Sequence, residues 1–108
     1  MVFHNPQTRQ VKELRAGVQA RTFWGENFMF SLVELQAQAV IPAHGHPHEQ
    51  DTYVVSGGFD VAIGEETRWV GGGELFIVPG GVEHSVRVGP EATRVVDVFA
   101  PAREDLKY

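Results

Sequence analysis

The sequence contains no cysteine in its 108 residues, which excludes disulfide bridges, cysteine-ligated metal sites and thiol nucleophiles. It also lacks any run approaching the roughly 20 apolar residues that a membrane-spanning helix needs. Residues 1–7 hold no apolar run that would serve as a signal peptide. These absences are compatible with a reducing cytoplasm, which is the location that we expect.

Positive charge is also scarce. Nine Lys and Arg residues stand against 14 Asp and Glu residues, for a formal net charge of −5. Nucleic-acid binding depends on a basic patch, and attachment to a membrane surface commonly uses a basic amphipathic helix. The sequence shows neither pattern, so we expect no nucleic acid and no membrane as a partner.

Helical periodicity is nearly absent. Apolar residues recur at every second position along 28–33 and 59–64, and residues 95–99 are typical of a strand buried on both faces. Gly and Pro turn signals separate these runs. The pattern predicts an all-β sandwich or barrel in one domain over residues 1–108, with short helical turns only near 10–14 and 103–106.

The turn signals also predict individual elements in the second half of the chain. Residues 59–64 and 67–70 are expected to form a hairpin around Gly64-Glu65-Glu66. Residues 75–78 are expected to form a strand, and His84 is expected to open the next strand after the turn at Pro79-Gly80.

Four polar residues in strand-like sequence have the composition of a metal site. His44 and His46 are two positions apart, so a strand would project both imidazoles to the same face. Gln50 can add a carbonyl oxygen, and His84 can add a third imidazole from a neighbouring strand. Imidazole is a common ligand of Zn, Fe, Ni, Cu and Mn. The alternative is a set of hydrogen-bonded histidines around a pocket that holds no metal.

These residues lie in two motifs that resemble those of the cupin superfamily. The matching positions are His44, His46, Gln50 and Gly57 in the first motif, and Gly73, Pro79, Gly81 and His84 in the second. The resemblance implies a cupin double-stranded β-helix, a jelly-roll barrel with a metal inside. The chain departs from the cupin pattern at Gln50, where Glu is usual, and at Val88, where Asn is usual. The Gly that opens the first motif is absent.

Gln50 in the position of the usual Glu changes the expected chemistry. Three His and one Gln carry no charge, so a divalent ion would keep its full charge and act as a stronger Lewis acid toward anionic substrates. The metal itself is left open among Zn, Ni, Fe and Mn, with Cu also compatible. The ligand set is open at one place too, because His48 or Glu49 can replace Gln50.

A second group of residues lies in the C-terminal strand. Asp97 stands among Val and Phe residues, and a carboxylate in such a place needs a partner. Metal-bound water, a substrate or Arg103 can serve, and an Asp97–Arg103 ion pair that pins the tail is the structural alternative. In a catalytic reading Asp97 is a general acid or base and Arg103 binds a carboxylate. Phe99 either packs against the ligand or simply lines the barrel.

This tail resembles that of the KdgF-type small cupins, single-domain enzymes of pectin and alginate breakdown. The likeness runs over roughly residues 30–106 and includes the segments 53–57 and 97–105. One spacing differs, since three residues separate His46 from Gln50 where these cupins have four. The resemblance implies a metal-dependent enzyme that opens and tautomerises a 4,5-unsaturated uronate to its linear keto form. The implied partner is therefore a small anionic molecule.

Two other functions remain open from the sequence. One is a different metal-dependent cupin enzyme, such as a dioxygenase or another isomerase. The other is a non-catalytic cupin that binds or senses a small molecule. Small cupins usually form homodimers, and residues 28–35 are either an edge strand available for pairing or an interior strand.

Overall fold

The computed structural model describes residues 2–108, and its regular elements are ten β-strands and two short 3₁₀ helices. The helices are Pro6–Thr8 and Glu104–Leu106. The strands are β1 Lys12–Arg15, β2 Val18–Trp24, β3 Met29–Leu35, β4 Val40–His44, β5 Glu49–Ser56, β6 Gly58–Ile63, β7 Glu66–Gly71, β8 Leu75–Val78, β9 His84–Val88 and β10 Thr93–Ala100. Within residues 2–108, no helix has the length and apolar character needed to cross a membrane.

The strands form two antiparallel sheets. The larger sheet has the order β1-β2-β3-β10-β5-β8, and the smaller has the order β4-β9-β6-β7. Neighbours such as β3 and β10 are far apart in sequence, because the chain crosses between the sheets as it does in a jelly roll. This architecture confirms the predicted all-β barrel.

Strict alternation along the strands divides each sheet into an inner and an outer face. In β3, Met29, Ser31 and Val33 are buried, whereas Phe30 and Glu34 are exposed. The inner faces of both sheets supply the core, whose largest fully buried side chains include Phe59, Met29, Val54, Val78 and Val88. The buried side chains therefore hold the two sheets together face to face.

Most of the strand predictions are confirmed. Residues 59–64 and 67–70 pair as the β6–β7 hairpin, residues 75–78 are β8, and His84 opens β9. The helical turn near the C-terminus is confirmed at Glu104–Leu106.

The prediction of a helical turn at residues 10–14 is wrong. Lys12–Arg15 pairs with β2 as an edge strand, because the sheet ladder satisfies its backbone groups. The helical turn lies earlier, at Pro6–Thr8, where the Asn5 side chain accepts a hydrogen bond from the Gln7 amide. The sequence left residues 28–35 as either an edge strand or an interior strand. In the structure they contribute an interior strand, with β3 between β2 and β10.

Candidate functional site

Three histidines meet at one end of the smaller sheet. His44 ends β4 and His84 begins β9, and the two residues are partners in the β4–β9 register. His46 follows in the loop after β4. The closest possible donor atoms of the three rings all lie within 4.8 Å of one another. His44 and His84, 40 positions apart in sequence, therefore converge because antiparallel pairing joins the two strands.

Gln50 approaches this cluster from the other sheet. It lies near the start of β5, with its side chain on the inner face. Its Oε1 atom is 3.2 Å from Nε2 of His46 and 3.2 Å from Nε2 of His84. The structure thus brings together all four residues that the sequence predicted as metal ligands. His44 and His84 on strands of the smaller sheet, with His46 in the loop after β4, face Gln50 on a strand of the larger sheet.

Backbone carbonyls orient all three imidazoles. Each Nδ1 atom lies next to the carbonyl oxygen of a residue two positions away, at 2.9 Å for His44 and 3.0 Å for His46 and His84. The acceptors are Pro42, His48 and Val82. A carbonyl can only accept, so each Nδ1 carries a proton and Nε2 is the nitrogen left to act as a ligand.

These Nε2 atoms make the site suitable for a cation. Burial lowers the pKa of His46 and of His84, so both rings favour the neutral form, and for His46 the charge of Arg103 adds to this effect. Neutral Nε2 atoms and the Gln50 oxygen are all acceptors, and they point toward one another. Only a proton or a cation between them relieves the repulsion. The donor set therefore fits a metal ion, whose identity the geometry does not select.

The amide of Gln50 also connects the histidines to Asp97. Its Nε2 atom donates to Thr52 Oγ1 at 3.3 Å and lies 3.5 Å from Asp97 Oδ1. The Thr52 hydroxyl donates to the same Asp97 oxygen at 2.5 Å. Because the carboxylate accepts, these contacts place the amide nitrogen toward Asp97 and the amide oxygen toward the histidines.

The Asp97 carboxyl is unusually hard to ionise. Burial raises its pKa from 3.8 to about 6, against the opposing effects of the Thr52 hydrogen bond, the Arg103 charge and the Gln50 hydrogen bond. The small accessible part of its side chain faces a cavity. A carboxyl in such a place can exchange a proton with a bound ligand.

That cavity has a volume of about 380 Å³ and lies between the two sheets, beside β1. Its lining includes both groups of residues singled out in the sequence: His44, Gln50 and His84 from the predicted metal site, and Asp97, Phe99 and Arg103 from the C-terminal segment. The volume is at the lower end of the range for small-molecule pockets. The cavity suits one small ligand lying between the imidazoles and the Asp97 carboxyl.

Arg103 is held at the cavity wall by two contacts. Its Nε and Nη2 atoms donate to the two carboxylate oxygens of Asp105 at 3.2 Å and 2.8 Å. Its guanidinium carbon lies 5.1 Å from the centroid of the Phe99 ring. Among residues 2–108, Asp97 forms no ion pair with Arg103, so the alternative in which that pair pins the tail does not describe this structure.

The two candidate replacements for Gln50 lie elsewhere. Glu49 is fully exposed on the outer face of the larger sheet, where its carboxyl contacts Asp51. The His48 ring packs 5.6 Å from that of His46, centroid to centroid, but His48 is outside the group of converging donors. Of His48, Glu49 and Gln50, it is therefore Gln50 whose side chain faces the converging histidine nitrogens.

Sequence reasoning missed Thr52, which links Gln50 to Asp97. The signal was available, because Thr52 follows Gln50 by two positions and a strand places both on the same face. Its hydroxyl matters only because β5 and β10 pair so that Thr52 lies opposite Asp97. That register is a long-range property of the fold.

The fold and the histidine cluster define the chain as a cupin. The family model described as Cupin domain (Cupin_2) matches residues 31–99, and the chain belongs to this family. The pectin degradation protein KdgF of Dickeya dadantii is 29% identical over 96 residues, which cover 87% of each protein.

Solved structures agree with this assignment. The structure of KdgF from Halomonas sp. matches with a TM-score of 0.92 at 27% identity, over 99% of both chains. An RmlC-like cupin from Shewanella frigidimarina matches with a TM-score of 0.93 at 26% identity, over 99% of this chain and 96% of that one. In sequence and in fold the chain is thus similar to KdgF proteins.

Proposed function

We propose that this chain is a metal-dependent enzyme that converts a 4,5-unsaturated uronate to its linear keto form by ring opening and tautomerisation. The observation that carries the proposal is one cavity lined both by the histidine cluster, through His44 and His84 with Gln50, and by Asp97, Phe99 and Arg103. The similarity to a protein named for pectin degradation supports a uronate as the substrate. The size of the cavity suits a monosaccharide.

The proposed reaction is an isomerisation that needs no other reactant. The hydroxyl on the anomeric carbon loses its proton and becomes the carbonyl oxygen of an aldehyde, while the bond between that carbon and the ring oxygen breaks. The ring oxygen leaves as an enolate on the double bond, and the proton is added to the double-bond carbon that does not bear this oxygen, which gives the ketone. One general acid–base group near both ends of this transfer is sufficient.

Asp97 is the residue suited to move that proton. Both hydrogen bonds that it accepts from residues 2–108 end on Oδ1. Oδ2 is therefore the oxygen available to the substrate. Thr52 and Gln50 hold the carboxyl in place, and Phe99, which also lines the cavity, packs against the sugar. The N–H groups of Arg103 that Asp105 does not use can bind the substrate carboxylate.

His44, His46, Gln50 and His84 would hold a divalent transition metal in this proposal. The ion would supply a Lewis acid that polarises substrate oxygens, and the neutral ligands would leave its charge undiminished. The hydrogen bond from each Nδ1 to a backbone carbonyl fixes the ring orientation, and so the direction from which Nε2 would bind the ion.

The test compares three proteins on unsaturated uronates released by a polysaccharide lyase. Loss of the ultraviolet absorbance of the conjugated double bond measures turnover. Asp97→Asn is expected to lower kcat by about 10²-fold or more, the usual worth of a general acid–base group. Elemental analysis should show that it keeps its metal. Asp60→Asn is the matched control, because Asp60 is exposed on β6.

Other outcomes point to other functions. Unchanged turnover in Asp97→Asn would remove Asp97 from the mechanism. Oxygen uptake that accompanies turnover would favour the dioxygenase alternative. A uronate that binds tightly to the wild-type protein and is recovered chemically unchanged would favour a binding or sensing module.

A further inference from the structure

Strand β1 presents two cations to the cavity because its pairing with β2 is irregular. Lys12 lies opposite Ala20 and Arg15 lies opposite Val18, and both of these β2 residues are buried on the inner face. Positions three apart in a regular strand point to opposite faces. The register shift between Glu13 and Arg15 corrects this spacing, so that Lys12 and Arg15 share the cavity side.

These two residues line the same cavity as the histidine cluster. Both side chains are exposed, and both are part of the section of the cavity wall that β1 forms. The Lys12 ammonium lies 5.5 Å from the centroid of the Tyr108 ring. Within residues 2–108, neither cation forms an ion pair, in contrast to Arg103 and its bidentate contact with Asp105. The cations of the cavity wall that are not engaged in an ion pair are therefore the two on β1.

An anion that enters this cavity meets an unfavourable background. The chain carries a formal net charge of −5, and the cavity wall itself includes Asp97, Asp105 and Glu13. With Arg103 already neutralised by Asp105, its charge gives little net attraction. A local positive rim can reverse the sign of the potential at the entrance and raise the local concentration of an anion.

We propose that Lys12 and Arg15 form an anion-binding rim that selects carboxylated sugars over neutral sugars of the same size. This inference rests on the proposed function for the identity of the sugar. The ammonium of Lys12 and the planar fork of Arg15 both attract a carboxylate to the cavity wall, where Arg103 then binds it. Both residues line the cavity but do not belong to the histidine cluster, so their role is recognition of the ligand and not action on the reacting atoms.

The test measures binding of galacturonate and galactose to the metal-loaded protein by isothermal titration calorimetry. Wild-type protein is expected to prefer galacturonate, and the preference should weaken as ionic strength rises. The double variant Lys12→Gln/Arg15→Gln is expected to bind galacturonate about tenfold or more weakly, as for the loss of a charge-assisted hydrogen bond. Its galactose affinity should stay unchanged.

The matched control removes two cations from outside the cavity. Arg87→Gln/Arg94→Gln makes the same change in net charge on exposed positions of β9 and β10. It is expected to retain the preference for galacturonate. In turnover with the unsaturated uronate, the rim variant should raise KM and leave kcat near that of the wild type.

The failures of the two proposals are distinguishable. Equal affinity of the wild type for galacturonate and galactose would overturn the rim, as would an equal loss in both double variants. A wild type that prefers galacturonate through Lys12 and Arg15 but converts no unsaturated uronate would support the rim and overturn the proposed reaction.

Discussion

At the scale of single residues, Gln50 joins two groups that would otherwise be separate. Its oxygen faces His46 and His84, and its nitrogen faces Thr52 and Asp97. A carboxylate at position 50 would place a second acceptor against the Asp97 oxygen, at the 3.5 Å now occupied by a donor. An amide at position 50 donates to the Asp97 carboxyl, whereas a carboxylate there would repel it. Gln50 therefore fits beside Asp97 better than the usual Glu.

The raised pKa of Asp97 predicts how the stability of the metal-free protein depends on pH. The unfolded carboxyl ionises near 3.8 and the folded one near 6. The folded state therefore binds more protons between these values, and the free energy of unfolding falls as pH rises through this window. The shift corresponds to about 3 kcal/mol. Asp97→Asn is expected to remove this loss and to be more stable than the wild type above pH 6.

Urea denaturation in the presence of a chelator measures this effect from about pH 4 to about pH 7. The lowered pKa values of His46 and His84 give the opposite slope. The informative quantity is thus the difference in unfolding free energy between wild type and Asp97→Asn, in which the histidine contributions cancel. Asp60→Asn controls for the loss of one acidic group. A difference that stays constant with pH would contradict the prediction.

At the scale of elements, two turns hold the metal-site segments together. The Gly81 amide donates to the carbonyl oxygen of His46 at 2.7 Å. A Cβ atom on Gly80 would lie 2.3 Å from the carbonyl oxygen of Pro47, closer than real atoms approach. The turn before β9 therefore packs directly on the loop that carries His46, and only glycine allows this approach.

Gly80→Ala is expected to separate the two turns and disturb the ligand set. We expect a loss of about 1–3 kcal/mol in the stability of the metal-free protein, as for other overpacked sites. We also expect at least tenfold weaker zinc binding, because His46 and His84 lie on opposite sides of the contact. Urea denaturation and competition with a chromophoric chelator measure the two quantities.

Gly25→Ala is the control for Gly80→Ala, since a Cβ atom at Gly25 meets nothing within 4 Å. A Gly80→Ala variant that behaves like Gly25→Ala would show that the contact is unimportant. A variant that loses stability but keeps its zinc affinity would show that the turns do not set the ligand geometry.

The elements also show what sequence reasoning can reach in this fold. Strands β6 to β9 were predictable because local turn signals bound them and alternation marks them. Strand β1 was not, since its four residues are all exposed and its place depends on pairing with β2. The motif spacing predicted which four residues converge as possible ligands. The contact of Thr52 with Asp97 depends on the register of β5 and β10, and the position of Lys12 and Arg15 on the cavity side depends on a strand irregularity; spacing in the sequence encodes neither.

At the scale of the whole molecule, the outer face of the larger sheet carries an apolar stripe. Strands β3, β10, β5 and β8 contribute it, with the side chains of Phe30, Leu32, Val96, Val98, Tyr53, Val55, Leu75 and Ile77. The same face also carries the charged residues Glu34, Glu49, Asp51 and Arg94. Leu75 is 63% exposed and Ile77 is 56% exposed. These four strands, about 4.8 Å apart and about 20 Å long, offer roughly 400 Å² of flat area. This is about half of the ~800 Å² that each partner buries in a standard interface.

We therefore propose that a second copy of the chain covers this face and that the protein is a homodimer. Sedimentation velocity at micromolar concentration should give a dimer for the wild type. Leu75→Lys/Ile77→Lys should be monomeric, because a buried unpaired charge is costly. Val40→Lys, on β4 of the smaller sheet and 49% exposed in the wild type, should remain dimeric. A monomeric wild type would leave the face to another partner or to solvent.

The four candidate ligands are divided between the two layers of the barrel. His44, His46 and His84 lie with the smaller sheet and Gln50 lies with the larger one. An ion bound to all four would cross-link the two sheets, which are otherwise joined by side-chain packing and by the segments of chain that cross between them. The layers could then part at that end only after the ion had left. Removing the metal would consequently speed the separation of the two sheets at that end, so the ion proposed to act in catalysis would also set how long the cavity keeps its shape.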